Sequence, residues 1–169
     1  MPLQFDEIVA QEKSVTLPHF TSDDAFALGI SIRTRLRDVS EQPAVVNITL
    51  ANNRQELFHA TSRPGTVPEN DNWVRRKQNT VLRFGFSSWA AHNMFDKGDE
   101  VKFKDRFQLG ETAGEYAIHG GGVPIRVKGV EGPIAAIVVS GLAQEQDHQI
   151  IVECLQDFLT SLEGEQSGV

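Results

Sequence analysis

The segment HGGGVPI at 119–125 sets a histidine directly before three glycines. In lipases and esterases such a loop offers backbone amides to an oxyanion. That chemistry also needs a serine on a G-x-S-x-G elbow between a strand and a helix, followed by an acid and a histidine. The nearest serines, in GFSSW at 85–89, lack the second glycine and lie inside a predicted helix. Acyl transfer fails on these missing parts. A phosphate cradle of the Rossmann or P-loop kind opens a helix, whereas GGGVPIRVKG runs into a predicted strand. A backbone role remains for Gly120, Gly121 and Gly122, either a sharp turn or close approach to a ligand.

Five histidines are present: His19, His59, His92, His119 and His148. None forms H-x-x-x-H, and one cysteine cannot build a zinc knuckle. Haem iron needs only one or two axial ligands in an apolar pocket. His119, beside the glycines, and His148, at a predicted helix start, are the first candidates for that role, although a lone histidine is more often an ordinary hydrogen-bonded residue. Arg75, Arg76, Lys77 and Arg83 form a basic cluster in which Arg76 and Arg83 share a helical face, a geometry suited to phosphate or carboxylate. The plainer reading is a solvated basic face with weak surface pairs. Trp89 and Phe86 could stack on a flat ligand or simply pack. Cys154 sits on an apolar helical stripe and reads as a packed thiol.

These residues need elements to position them. TSDDAFALGISIRTRLRDV predicts a helix, capped by Thr21 with Asp24 three residues on. Ala25, Leu28, Gly29, Ile32, Leu36 and Val39 form its stripe. AVVNITL and QELFHAT predict two strands, joined through Asn52-Asn53 at positive φ. WVRRKQNTVLRFGFSSWAAHNMFDKG predicts a helix weak at Gly85 and apolar all round. Such a helix must be covered on all sides, and a second subunit is the natural cover. DEVKFKDRFQLGETAG reads as a short strand or an irregular end. EYAIH, GVPIRVK and GPIAAIVVS predict three strands, the last apolar on both faces and hence central. A helix over about 144–162 ends the domain. The order α-β-β-α-β-β-β-α, with hairpin-length connections, gives an α+β fold. Its expected form is a five-stranded antiparallel sheet with helices packed on it, a profilin-like α/β/α sandwich. Residues 1–162 form one domain, and 163–169 a disordered tail.

Composition bounds the function. A chain of 169 residues buries roughly 70% of its unfolded surface. The net charge of −7 opposes binding to nucleic acid or anionic membrane. No apolar run approaches the ~20 residues of a membrane span, and the acidic start has no signal-peptide pattern. With one cysteine, these features predict a cytoplasmic protein. No complete catalytic constellation is present, which argues against an enzyme.

Residues 116–159 resemble the haem-degrading-domain family, the GlcG/HbpS-like proteins. The resemblance rests on Gly121-Gly122-Val123-Pro124-Ile125, Val139-Ser140-Gly141 and Asp147. RRKQNTVLRFGFSSW together with HGGGVPI looks closer still to a branch of small microbial and fungal proteins. The resemblance implies an oligomeric α/β protein on an antiparallel sheet, with haem among its relatives' ligands. The sequence thus predicts a homo-oligomer that binds a small flat or anionic ligand, haem being one, near 119–125. Arg83, Trp89, His119, Gly120, Gly121, Gly122 and His148 are its candidate contacts. The alternative is a non-catalytic adaptor that binds other proteins through its assembled surface.

Overall fold

A computed structural model describes residues 4–168. Residues 1–3 of the predicted domain and residue 169 of the predicted tail lie outside that range. The elements are α1 (Phe5–Ser14), α2 (Ser22–Val39), β1 (Val45–Leu50), β2 (Glu56–Thr61), α3 (Pro68–Phe84), α4 (Ser88–Met94), α5 (Glu100–Arg106), β3 (Gly122–Ile125), β4 (Ala135–Ser140) and α6 (Gln144–Gln166), with a 3-10 turn at Gly110–Glu115. The strands form one antiparallel sheet in the order β2-β1-β4-β3.

β1 and β4 are central, and their side chains alternate between two covered faces. Val46, Ile48, Ile137 and Val139 join the main core with α2 and α6, while Val45 and Val138 meet Val74 of α3 on the other side. Thr21 caps α2 as its spacing predicts. Its Oγ1 accepts from Asp24 N at 3.2 Å, and the Asp24 carboxylate accepts from Thr21 N at 2.8 Å.

The sheet has four strands, not five. EYAIH does not pair, because helix α3 takes its main-chain groups. The Ala117 N–H is shared between the Arg76 carbonyl at 3.2 Å and Thr80 Oγ1 at 3.1 Å, and Thr80 Oγ1 donates to the Ala117 carbonyl at 2.8 Å. A segment satisfied in this way has no need of a neighbouring strand. Past Ile125 the chain pairs instead with Leu17, which bonds to Arg126 and Lys128 at 2.9 Å each.

The long apolar helix is two helices. Gly85 closes α3 at φ 77, and Ser87 opens α4, its Oγ accepting from Ala90 N at 2.9 Å. This break turns Phe84 and Phe86 into one ring cluster with Phe95, Phe103, Phe107 and Tyr116. Cover for those rings therefore comes from α5 and the 3-10 turn of the same chain. The ambiguous stretch at 99–106 is α5, capped by Asp99. In the β1–β2 hairpin the positive φ falls at Arg54, since Asn53 Oδ1 spends itself on Gln55 N at 3.0 Å. α1, which the sequence reading did not place, seals one end with Ile8 and Glu12. α6 runs on to Gln166, past the helix end predicted at 162.

Candidate functional site

α3 lies across the sheet with Val74, Lys77, Gln78 and Val81 on its buried stripe. Lys77 is thus carried inward by an apolar face and is only 4% exposed. Its Nζ donates to the Val139 carbonyl at the end of β4, at 3.0 Å, and to Asp147 Oδ2, at 3.4 Å. Asp147 is in the first turn of α6 and also accepts from Leu142 N at 3.0 Å and Gly141 N at 3.4 Å. Burial pushes the Lys77 amine below its usual range, against the pull of Asp147. It likewise pushes the Asp147 carboxyl up, opposed by Lys77 and the two amides. Both shifts favour proton transfer toward a neutral pair.

Above this pair lies a cleft of about 390 Å³, walled by Asn70, Trp73, His119, Ser140, Gly141 and Gln144. The glycine loop packs behind that wall, against Lys77, Gln144 and Asp147. Gly121 has φ 122, and a Cβ there would lie 2.3 Å from the Val139 carbonyl and 2.7 Å from Lys77 Nζ. One on Gly120 would lie 2.3 Å from the Gln144 carbonyl. These glycines let the loop press directly onto β4, α3 and the start of α6.

A line of aromatic rings extends from the cleft. Trp73 meets His119 edge-on at 5.0 Å, His119 lies 6.5 Å from His92, and His92 stacks on Trp89 at 4.8 Å. His148 sits 6.4 Å behind Trp89. His92 Nδ1 lies 3.1 Å from the Ile118 carbonyl. His119 Nδ1 and both ring nitrogens of His148 are buried without a partner. Burial lowers the pKa of all three imidazoles, that of His148 to about 4, so all are neutral at pH 7. Among the described residues, no three histidine, cysteine or acidic side chains converge on a metal-sized site.

The family model for haem-degrading HbpS-like proteins matches residues 20–156. The chain belongs to this family. A UPF0303 protein of Streptomyces avermitilis is 40% identical over 159 residues, 94% of this chain and 93% of that one. The crystal structure of Ybr137w, a protein of Saccharomyces cerevisiae, superposes with a TM-score of 0.86 at 35% identity, covering 95% of this chain and 90% of that one. That of PduOC in complex with haem gives 0.64 at 18% identity, over 81% and 93%, which shows a shared fold.

Among the contacts predicted from sequence, His119 lines the cleft and the three glycines lie behind it. Trp89 and His148 are not in its wall; Trp89 packs against Gly120, and His148 lies 6.4 Å from Trp89. Arg83 is elsewhere, donating to the Tyr116 hydroxyl at 2.7 Å. Arg76 stacks on Trp73 at 4.5 Å and bonds the Tyr116 carbonyl at 3.0 Å, so both arginines hold the 116 segment. Ser88 Oγ accepts from Gly122 N at 2.9 Å and is fully buried, with no base beside it. Asn70 and Trp73 escaped sequence reasoning, and Lys77 entered it only as one member of the basic cluster with Arg75, Arg76 and Arg83. The available signal was the spacing of Lys77 with Val74 and Val81, which puts a lysine on an apolar stripe.

Proposed function

We propose that the cleft over Lys77 binds a small flat or anionic ligand. The observation that carries this reading is a lysine, buried on the floor of an open cleft, with His119 and Trp73 at its rim. A flat ring suits the Trp73–His119 wall, and the side-chain amides of Asn70 and Gln144 in that wall can donate to negative charge. The volume is at the lower end of the ~300–1,000 Å³ usual for ligand sites.

Haem, bound by the structural neighbour PduOC, is one ligand to weigh. His119 suits the iron, being a neutral imidazole in the cleft wall. His148 does not, being 2% exposed and absent from the cleft wall. One chain encloses less than a whole macrocycle, so haem would lie partly outside the cleft. A haemin titration followed by absorbance tests this. The expected result is a Soret shift that saturates near one haem per chain and is lost in His119→Ala. An unchanged spectrum, with no smaller planar anion bound, would refute the reading.

Self-association in the cytoplasm completes the proposal. Phe26 is 61% exposed and Ile30, one turn on, 43%. Phe26 meets Phe58 edge-on at 6.1 Å, making an apolar patch beside the edge strand β2. The same patch favours the adaptor reading, in which it receives another protein. Light scattering at micromolar concentration separates a multi-subunit mass from a monomer, and Phe26→Lys should lower the mass. No helix among the described residues is long and apolar enough to cross a membrane.

A further inference from the structure

We propose that Lys77 bonds covalently to its ligand: its ε-amine forms an imine with an aldehyde carried by a flat anion seated in the cleft. The inference rests on the cleft being the ligand site and adds the chemical class of what it takes.

The placement of Nζ supports it. Lys77 lines the cleft, with Nζ 3.0 Å from the Val139 carbonyl and 3.4 Å from Asp147 Oδ2, so an amine and a carboxyl able to exchange its proton stand together at the cleft floor. A neutral amine has a lone pair to offer a carbonyl carbon. Nζ sits beside Gly121, where a Cβ would stand 2.7 Å from it. Burial also lowers the amine's pKa, which raises the neutral, nucleophilic fraction at pH 7.

Asp147 supplies the proton transfers. The nitrogen lone pair adds to the aldehyde carbon, and the C–O π pair moves to oxygen, which takes the proton of the neutral Asp147 carboxyl. The Asp147 carboxylate so formed removes a proton from the nitrogen. It then returns it to the hydroxyl as the C–O bond breaks, and water leaves. The aldehyde, the amine and the Asp147 proton give a protonated imine, water and the Asp147 carboxylate, with no oxidation or reduction. Asp147 suits both directions, because burial raises its pKa while the Gly141 and Leu142 amides hold its carboxylate.

The probe is pyridoxal 5′-phosphate, a flat anionic aldehyde, added to the full-length protein. Borohydride then reduces any imine, and peptide mass spectrometry locates the adduct. The competitors are Lys13, Lys97, Lys102, Lys104 and Lys128, all exposed. Burial lowers the Lys77 pKa and raises its free-amine fraction, so at less than one equivalent of probe most of the reduced label should lie on Lys77. Pyridoxine 5′-phosphate, with the same ring and charge but an alcohol, should bind and slow the labelling. Lys77→Arg should lose this adduct, because a guanidinium does not form the imine.

If the alcohol binds in a His119-dependent manner while only exposed lysines are labelled, the covalent role is overturned and the ligand site stands. If the alcohol does not bind and the label is again confined to exposed lysines, both are overturned. The labelling uses the unmodified chain, so a variant that fails to fold leaves the test intact.

Discussion

Glu12→Gln should make the protein more stable at alkaline pH and leave it nearly unchanged at acid pH. Glu12 is 1% exposed on α1. One carboxylate oxygen accepts from Ser87 N at 3.2 Å, and the other is buried with no partner. Arg126 lies close enough to favour the ionised form, but its guanidinium is turned to the Gly85 carbonyl and its Nε is also unpartnered. Burial outweighs these and raises the Glu12 pKa from 4.5 to about 7. Below pH 4.5 the folded and unfolded chains both hold the proton, and the group contributes no pH dependence. Between 4.5 and 7 the unfolded chain loses a proton that the folded chain keeps, so stability falls as pH rises. Above 7 the loss is complete. At about 1.4 kcal/mol per unit, it amounts to about 3 kcal/mol. Glutamine keeps an acceptor for Ser87 and carries no charge to bury. Urea unfolding followed by circular dichroism at about pH 5 and about pH 8.5 measures the variant-minus-parent difference at each pH. His148, whose pKa is lowered to about 4 by burial, costs stability as pH falls from 6.5 through 4, but it is common to both proteins and cancels. The gain should grow by about 2–3 kcal/mol between the two conditions. An equal difference at both would refute the claim that this carboxyl is held protonated.

Gly121→Ala meets a backbone oxygen at 2.3 Å as well as a strained φ, and should cost about 2–4 kcal/mol in the same urea assay. Gly110→Ala, at φ 56 with nothing within 4 Å, isolates the backbone effect and should cost about 1 kcal/mol. Lys77→Met leaves the buried Asp147 without its Lys77 hydrogen bond and should lose about 1–3 kcal/mol, much of it recovered by adding Asp147→Leu. Thr21→Ala removes the α2 cap and should cost about 1 kcal/mol, measured by thermal or urea unfolding.

What could be read from the sequence was set by local rules. The α2 cap follows from Thr21 and Asp24 alone, and the central place of β4 from its two apolar faces. The antiparallel arrangement follows from the short connections. Contacts between distant segments were not legible. Thr80 and Arg76 decide that 116–119 is irregular, but they lie some forty residues away along the chain. Gly85 was visible as a weak point, yet only α5 and the 3-10 turn show that the chain covers its own phenylalanines. The predicted second subunit therefore loses that support. At the site, the glycine triplet drew attention for the right physical reason, close approach, with the wrong neighbour in view. The loop packs on Val139, Gln144 and Lys77, and the cleft opens beyond it. Lys77 was grouped with Arg75 and Arg76 as a basic face, because charge normally marks the solvent side. Its heptad-like spacing with Val74 and Val81 gave the opposite signal.

The central claim is that the cleft above Lys77 and Asp147 holds the ligand. Amide chemical-shift mapping tests it most directly, with haemin and then pyridoxine 5′-phosphate added to the labelled chain. Shifts or paramagnetic broadening should concentrate at Asn70, Gly120, Gly121, Gly141 and Leu142, and should vanish in His119→Ala. Changes gathered instead around Asn52, Val130 and Ile134, where a second apolar hollow lies, with the cleft amides unmoved, would contradict it.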